Sequence, residues 1–189
     1  GVSLTLMYRK PATTFNQKAE ALYQQNVLSV MEEVWHKEGE RIDLVIFLNG
    51  IAIFTFELKC NTSGQNYEDA IRQYKFERDY KTRLLKFKAG CLAHFAMDLN
   101  EVYMCTNLKG KSSFFLPFNK GCGVGIHSGK GNPHNENGIN VSYMWEDILK
   151  KDTVLYLIDK IIFLQKETKK DPDTGKRVTK ETLIFPRYH

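Results

Sequence analysis

The 189-residue chain has little with which to cross-link itself. Its four cysteines, Cys60, Cys91, Cys105 and Cys122, contain no CxxC pair, and no basic n-region followed by an apolar h-region opens the sequence. Reduced thiols in a cytoplasmic protein are therefore expected, and the sequons at Asn61-Thr62-Ser63 and Asn140-Val141-Ser142 carry no information in that setting. No apolar run reaches the roughly 18 to 20 residues of a bilayer-spanning helix, so no membrane partner is expected. Cys122, His127 and His134 do not have the spacing of a zinc site and lack a fourth ligand. The nearest approach to a P-loop, Gly125 to Gly131, is one residue short and lacks the Ser or Thr that holds magnesium. Internal repeats and linkers are missing too, which favours one domain over residues 1–189.

What is present suits a soluble globular protein: 42% of residues are hydrophobic and 26% charged. Lys plus Arg exceed Asp plus Glu by 27 to 22, a formal +5 that permits a polyanionic partner without requiring one. Hydrophobic periodicity predicts a helix over 14–26 with Thr14 as its cap, a strand in "VLSVMEEVW", and a helix over 66–81 with Tyr67, Ile71 and Tyr74 on one stripe. "CLAHFAMD" and "VYMCTNL" read as a hairpin, and "SSFFLPF" as a strand that Pro117 consigns to an edge. Residues 119–138 read as a long surface loop, 142–160 as a helix, and "IIFLQKET" with "VTKETLIF" as strands around a charged turn.

The stretch "RIDLVIFLNGIAIFTFELK", residues 41–59, carries the chemistry. It reads as two strands, apolar on both faces, meeting at Asn49-Gly50, as in a sheet covered on both sides. Three charges, Asp43, Glu57 and Lys59, gather at the end away from the turn. Glu57 and Lys59 are two apart and share a face. Asp43 joins them in one of two registers. A two-residue turn pairs Leu48 with Ile51 and sends Asp43 to the far face; a three-residue loop with Gly50 as a G1 bulge pairs Phe47 with Ile51, puts Asp43 opposite Thr55, and unites the three. United, the two carboxylates and a backbone carbonyl suit Mg²⁺, which keeps several waters, and an adjacent ammonium suits phosphodiester hydrolysis.

Asp43, Glu57, Leu58 and Lys59 resemble the PD-(D/E)xK nuclease motif, with Ile42 where the motif has proline. The wider run of segments, "RIDLVIFLNGIAIFTFELK", "YEDAIRQYKFERD", "CLAHFAMDLNEVYMCTNLKGKSSFFLPFNKG", "GKGNP", "YMWEDILKKD" and "LIFPRYH", resembles the N-terminal nuclease region of type I restriction enzyme R (HsdR-type) subunits from about Leu22 onward. That resemblance implies an α/β, restriction-endonuclease-like central mixed sheet flanked by helices. It implies Asp43, Glu57 and the Leu58 carbonyl as Mg²⁺ ligands, Lys59 as catalytic lysine, and Gln73 as the glutamine of a Q-x-x-x-Y element. Four residues after Gln73 stands Glu77, with Tyr74 and Tyr80 nearby, so no tyrosine is assigned. It also implies double-stranded DNA as substrate, methyltransferase and specificity subunits as partners, and a longer subunit whose ATP-dependent, helicase-like motor lies outside this sequence. A basic run with interleaved aromatics, Arg72 through Lys88, stands beside the site as a phosphate-contacting candidate. The competing reading is a non-catalytic module that keeps the fold for DNA holding or motor docking, its three charges satisfied by local hydrogen bonds.

Overall fold

A computed structural model describes residues 4–13, 15–122, 131–170, 172 and 175–188. Helix α1 (Gln17–Gln24) leads into a run of three antiparallel strands, β1 (Leu28–Lys37), β2 (Glu40–Leu48) and β3 (Ile51–Leu58). Helix α2 (Tyr67–Phe76) then crosses over to β4 (Ala93–Met97), which lies parallel to β3. Strands β5 (Val102–Cys105) and β6 (Leu116–Pro117) complete a mixed sheet of order β1-β2-β3-β4-β5-β6, with Pro117 on the edge strand as expected. An edge has no outer neighbour asking for the N–H that proline lacks.

Both faces of the sheet are covered. On one, Tyr23 of α1, Val154 and Leu155 of α3 (Lys151–Tyr156), and Phe185 pack against Ile46, Phe54, Phe56 and Phe95. On the other, Ala70 and Tyr74 of α2 pack with Val45, Ile42, Leu85 and Ala96. The two-sided burial read from the apolar runs of β2 and β3 is therefore observed. Strands β7 (Phe163–Lys170) and β8 (Arg177–Ile184) form a separate antiparallel pair. No helix among the described residues is long and apolar enough to cross a membrane.

Element ends depart from the sequence reading in places. The α1 cap is Asn16, whose side chain accepts from Ala19 N–H; Thr14 lies outside the described residues. Helix α2 opens with a capping box, Asn66 accepting from Glu68 N–H and Asp69 accepting from Asn66 N–H, but ends at Phe76 rather than near residue 81. The expected helix over 142–160 is broken at Lys150, whose extended backbone (ψ 140°) separates a π-helical turn at Met144–Ile148 from α3. Of the 119–138 loop, residues 123–130, including His127, lie outside the described residues. Its flanks are tied together by Gly121 N–H donating to the Gly131 carbonyl at 2.9 Å and Lys120 N–H to Asn132 Oδ1 at 2.8 Å.

Candidate functional site

The β2–β3 turn is the two-residue form. Asn49 (φ 50°) and Gly50 (φ 82°) are both left-handed, and Leu48 pairs with Ile51. Asparagine tolerates that backbone, and its side chain staples the turn to the chain's first segment, accepting from Val27 N–H at 2.7 Å and donating to the Leu6 carbonyl at 2.9 Å. The three-residue G1 loop is thus corrected, and so is the placing of Asp43 opposite Thr55, since Thr55 pairs with Val45.

The acids meet for another reason. Between the pairs Phe47–Ala52 and Ile46–Phe54 the register shifts, leaving Ile53 as an extra residue in β3. One unpaired residue reverses which face every later side chain takes. Beyond it Leu44 pairs with Phe56, which puts Asp43 and Glu57 next along the two strands and brings their side chains into contact. They are direct cross-strand neighbours rather than the diagonal ones the G1 register implied.

Asp43 also bends its own strand. Ile42 and Val45 pack into the α2-side core, whereas Leu44 and Ile46 pack into the other, so the inward–outward alternation is broken at Asp43. Its neighbour across β1 is Glu33, which has a left-handed backbone (φ 52°) and pairs its carboxylate with Arg41. Asp43 Oδ2 accepts from Leu58 N–H at 2.8 Å, fixing the acid against the last residue of β3.

Glu57 is fully buried. Its carboxylate receives Arg78 Nε at 2.7 Å and Nη2 at 3.3 Å, from a guanidinium that is itself only 10% exposed. Burial pushes the Glu57 carboxyl up to about 8; the Arg78 bonds pull it down, and the charge of Asp43 adds to the rise. Lys59 follows just past the end of β3, its backbone N–H donating to the Met97 carbonyl at 2.9 Å. Its ammonium has no ion-pair partner among the described residues.

Beneath these residues lies a buried polar chain. Thr55 Oγ1 is 2.8 Å from both Tyr74 Oη and His94 Nδ1, joining β3, α2 and β4. Burial alone drives the His94 imidazole down to about 3, keeping it neutral. Tyr74 is thus committed to the core, and Tyr80 packs in the same cluster. Gln73, one residue before, has a buried Oε1 with no hydrogen-bond partner among the described residues.

Sequence reasoning placed Arg78 in the basic run and missed its role. Arg72, Lys81, Arg83 and Lys86 are exposed, but Arg78 turns inward to Glu57. No spacing rule distinguishes it. Past the end of α2, the strap that carries it is held by contacts 39 and 42 residues away in sequence, Asp79 N–H to Glu40 Oε2 and Lys37 Nζ to Asp79 Oδ2.

A magnesium ion is what this donor chemistry suits. Among the described residues no cluster of three or more His, Cys, Asp or Glu is placed to hold a metal. The Asp43–Glu57 pair supplies two hard carboxylates that interact directly with each other, and the backbone of Leu58 adjoins Asp43. A cation that takes one or two carboxylates and fills its shell with carbonyl oxygen and water fits that set; one needing a full cage of side chains does not. An apolar groove of about 400 Å³, walled by Leu44, Ile46, Phe56, Leu58 and Trp145 among others, has no titratable group in its lining and offers no such chemistry.

A mixed six-stranded sheet with helices on both faces and an acidic pair at the end of adjoining strands defines an α/β, restriction-endonuclease-like architecture. The family model for the type I restriction enzyme R protein N terminus matches residues 13–113, more than half of the chain, and the chain belongs to that family. Among curated proteins none matches it.

Proposed function

We propose that this chain is the magnesium-dependent endonuclease unit of a type I restriction R subunit and hydrolyses phosphodiester bonds of double-stranded DNA. The observation that carries the reading is the fully buried Glu57 beside Asp43 on neighbouring strands, where desolvation and the charge of Asp43 both oppose ionisation of Glu57 and a bound dication would offset both. Asp43, Glu57 and the Leu58 carbonyl would hold Mg²⁺, which supplies Lewis-acid stabilisation of a phosphoryl oxygen and a bound water of lowered pKa. Lys59, its ammonium uncommitted, donates to the non-bridging oxygen on which charge develops or orients the attacking water. Gln73 Oε1 is an acceptor available to a water proton. The exposed cations Arg72, Lys81, Arg83 and Lys86 contact phosphates without reading bases. Sequence choice then rests with specificity and methyltransferase subunits of the restriction complex, and ATP with a motor elsewhere in the subunit.

The test uses the assembled enzyme with Glu57→Ala and Lys59→Ala. Double-strand cleavage is lost in both while ATP hydrolysis persists; cleavage retained by either variant sinks the assignment.

One observation favours the second reading, a non-catalytic module of the same fold. Arg78 and Leu58 N–H satisfy the two carboxylates locally, so the pair has a cation even with no metal bound. Cleavage-competent complexes carrying both alanine variants are the result this second reading expects.

A further inference from the structure

We infer that Arg78 is a positioning residue that serves the acidic pair as a resident counter-cation, from which an entering divalent ion has to win Glu57. The inference rests on the metal-site reading above and adds a residue to it.

Two independent anchors bring Arg78 to Glu57. Glu57 is fixed by β3, fully buried between strands. Arg78 comes from the strap after α2, where Asp79 N–H donates to Glu40 Oε2 at 2.7 Å, Lys37 Nζ reaches Asp79 Oδ2 at 3.2 Å, and Lys81 N–H donates to Asp79 Oδ1 at 3.0 Å. The guanidinium is therefore delivered by structure tied to the β1–β2 turn, not drawn in by Glu57 alone. It meets both carboxylate oxygens, at 2.7 and 3.3 Å, as a planar fork can and an ammonium cannot.

A carboxylate offers about four lone-pair sites, so these two bonds orient Glu57 and leave room for a metal. Their charge has the opposite effect. Once the ion is bound and both acids are ionised, the pair carries two negative charges and Arg78 cancels one, so the dication is held by one net charge in place of two. Arg78 thus holds Glu57 in a defined orientation, keeps the metal-free site from repelling itself, and weakens cation binding.

The experiment measures Mn²⁺ affinity by electron paramagnetic resonance, and thermal unfolding in EDTA and in Mn²⁺, for wild type, Arg78→Gln, Arg78→Lys and the Arg78→Gln/Glu57→Gln pair. Arg78→Gln is expected to bind Mn²⁺ at least roughly tenfold more tightly, as removal of a like charge within about 4–6 Å of the site implies. It also unfolds several degrees earlier in EDTA and regains the loss in Mn²⁺. Arg78→Lys keeps near-wild-type Mn²⁺ affinity, and the double variant loses both the tighter binding and the EDTA penalty. If Arg78→Gln does not fold in EDTA, refolding it directly into Mn²⁺ reads the same claim, and failure to recover there overturns it. Wild-type binding with no tightening in Arg78→Gln makes Arg78 a structural tether and overturns the inference alone. No Mn²⁺ binding by any variant overturns the metal site together with it.

Discussion

Glu57 and His94 show how burial acts on opposite kinds of side chain within one core. Both are disfavoured in their charged forms; Glu57 has a guanidinium and a carboxylate beside it, whereas His94 has no charged partner among the described residues and lies against Thr55 and Tyr74. Below its unfolded value near 6.5, the unfolded His94 imidazole takes up a proton that the folded one, driven to about 3, refuses. Stability on this account is intact above pH 6.5 and is lost progressively as pH falls. Between pH 7 and pH 5 wild type should lose about 2 kcal/mol more than His94→Asn, in which the amide stands in for Nδ1. Glu57 contributes in the other sense, its raised carboxyl removing stability as pH rises from 4.5 toward 8, but equally in both proteins, so it cancels in the difference. Urea midpoints at the two pH values check this, and equal losses would show that His94 is protonated in the fold. The three charges at residues 43, 57 and 59 were legible from sequence because strand spacing alone puts Glu57 and Lys59 together. Arg78 was not, because its partner lies 21 residues away and the strap that carries it is placed by contacts of Asp79 with Glu40 and Lys37.

The β2–β3 hairpin shows where element-scale reading stops. Asn49-Gly50 announces a turn, and both candidate loops were consistent with it; what decides the acids' shared face is Ile53, an ordinary apolar residue in an apolar run. Its bulge follows from two cores competing for side chains: Ile53, Phe54 and Phe56 enter one core, and Val45 and Phe47 the other. A bulge of this origin leaves no mark in composition. Deleting Ile53 removes the unpaired residue but leaves Phe54 opposite Ile46 and Phe56 opposite Leu44, so Glu57 stays beside Asp43 and a folded deletion variant should keep its Mn²⁺ binding; loss of binding in that variant would refute the register drawn from the bulge. Gly50→Ala puts a Cβ on a left-handed residue at the opposite end of the hairpin, where it meets open space. It should lower unfolding free energy by about 1 kcal/mol through backbone strain and leave Mn²⁺ affinity unchanged, as denaturant titration and metal titration read separately. The overextended helix at 66–81 has a similar lesson. Helix formers continue past Phe76, but Glu40 and Lys37 capture Asp79 and turn the chain aside.

Over the whole molecule, the two-sided burial of β2 and β3 followed from runs that are apolar on both faces, whereas the order of the six strands and the parallel β3–β4 pairing leave no such mark in sequence. The broken helix at 142–160 did not follow, its interruption at Lys150 being set by tertiary packing rather than by a proline or glycine. The distribution of charge sorts the basic run into two roles. Arg83 and Lys86 are exposed, as the proposed contact with DNA phosphates requires, whereas Arg78 belongs to the interior. Arg83→Glu with Lys86→Glu should weaken binding to any duplex alike and flatten the dependence of affinity on salt, which fluorescence anisotropy across a salt series measures. A loss confined to one sequence, or none, would remove that surface from the account.

The proposed chemistry depends on a divalent cation held between Asp43 and Glu57. Crystals soaked in Mn²⁺ and measured for anomalous scattering test it most directly. A peak is expected that is coordinated by Asp43, Glu57 and the Leu58 carbonyl, with Lys59 close by and Arg78 shifted from the Glu57 oxygen that the ion takes. Crystals saturated with Mn²⁺ that show no peak there, with the Arg78–Glu57 pair undisturbed, would contradict it and leave the fold as a module without a metal site.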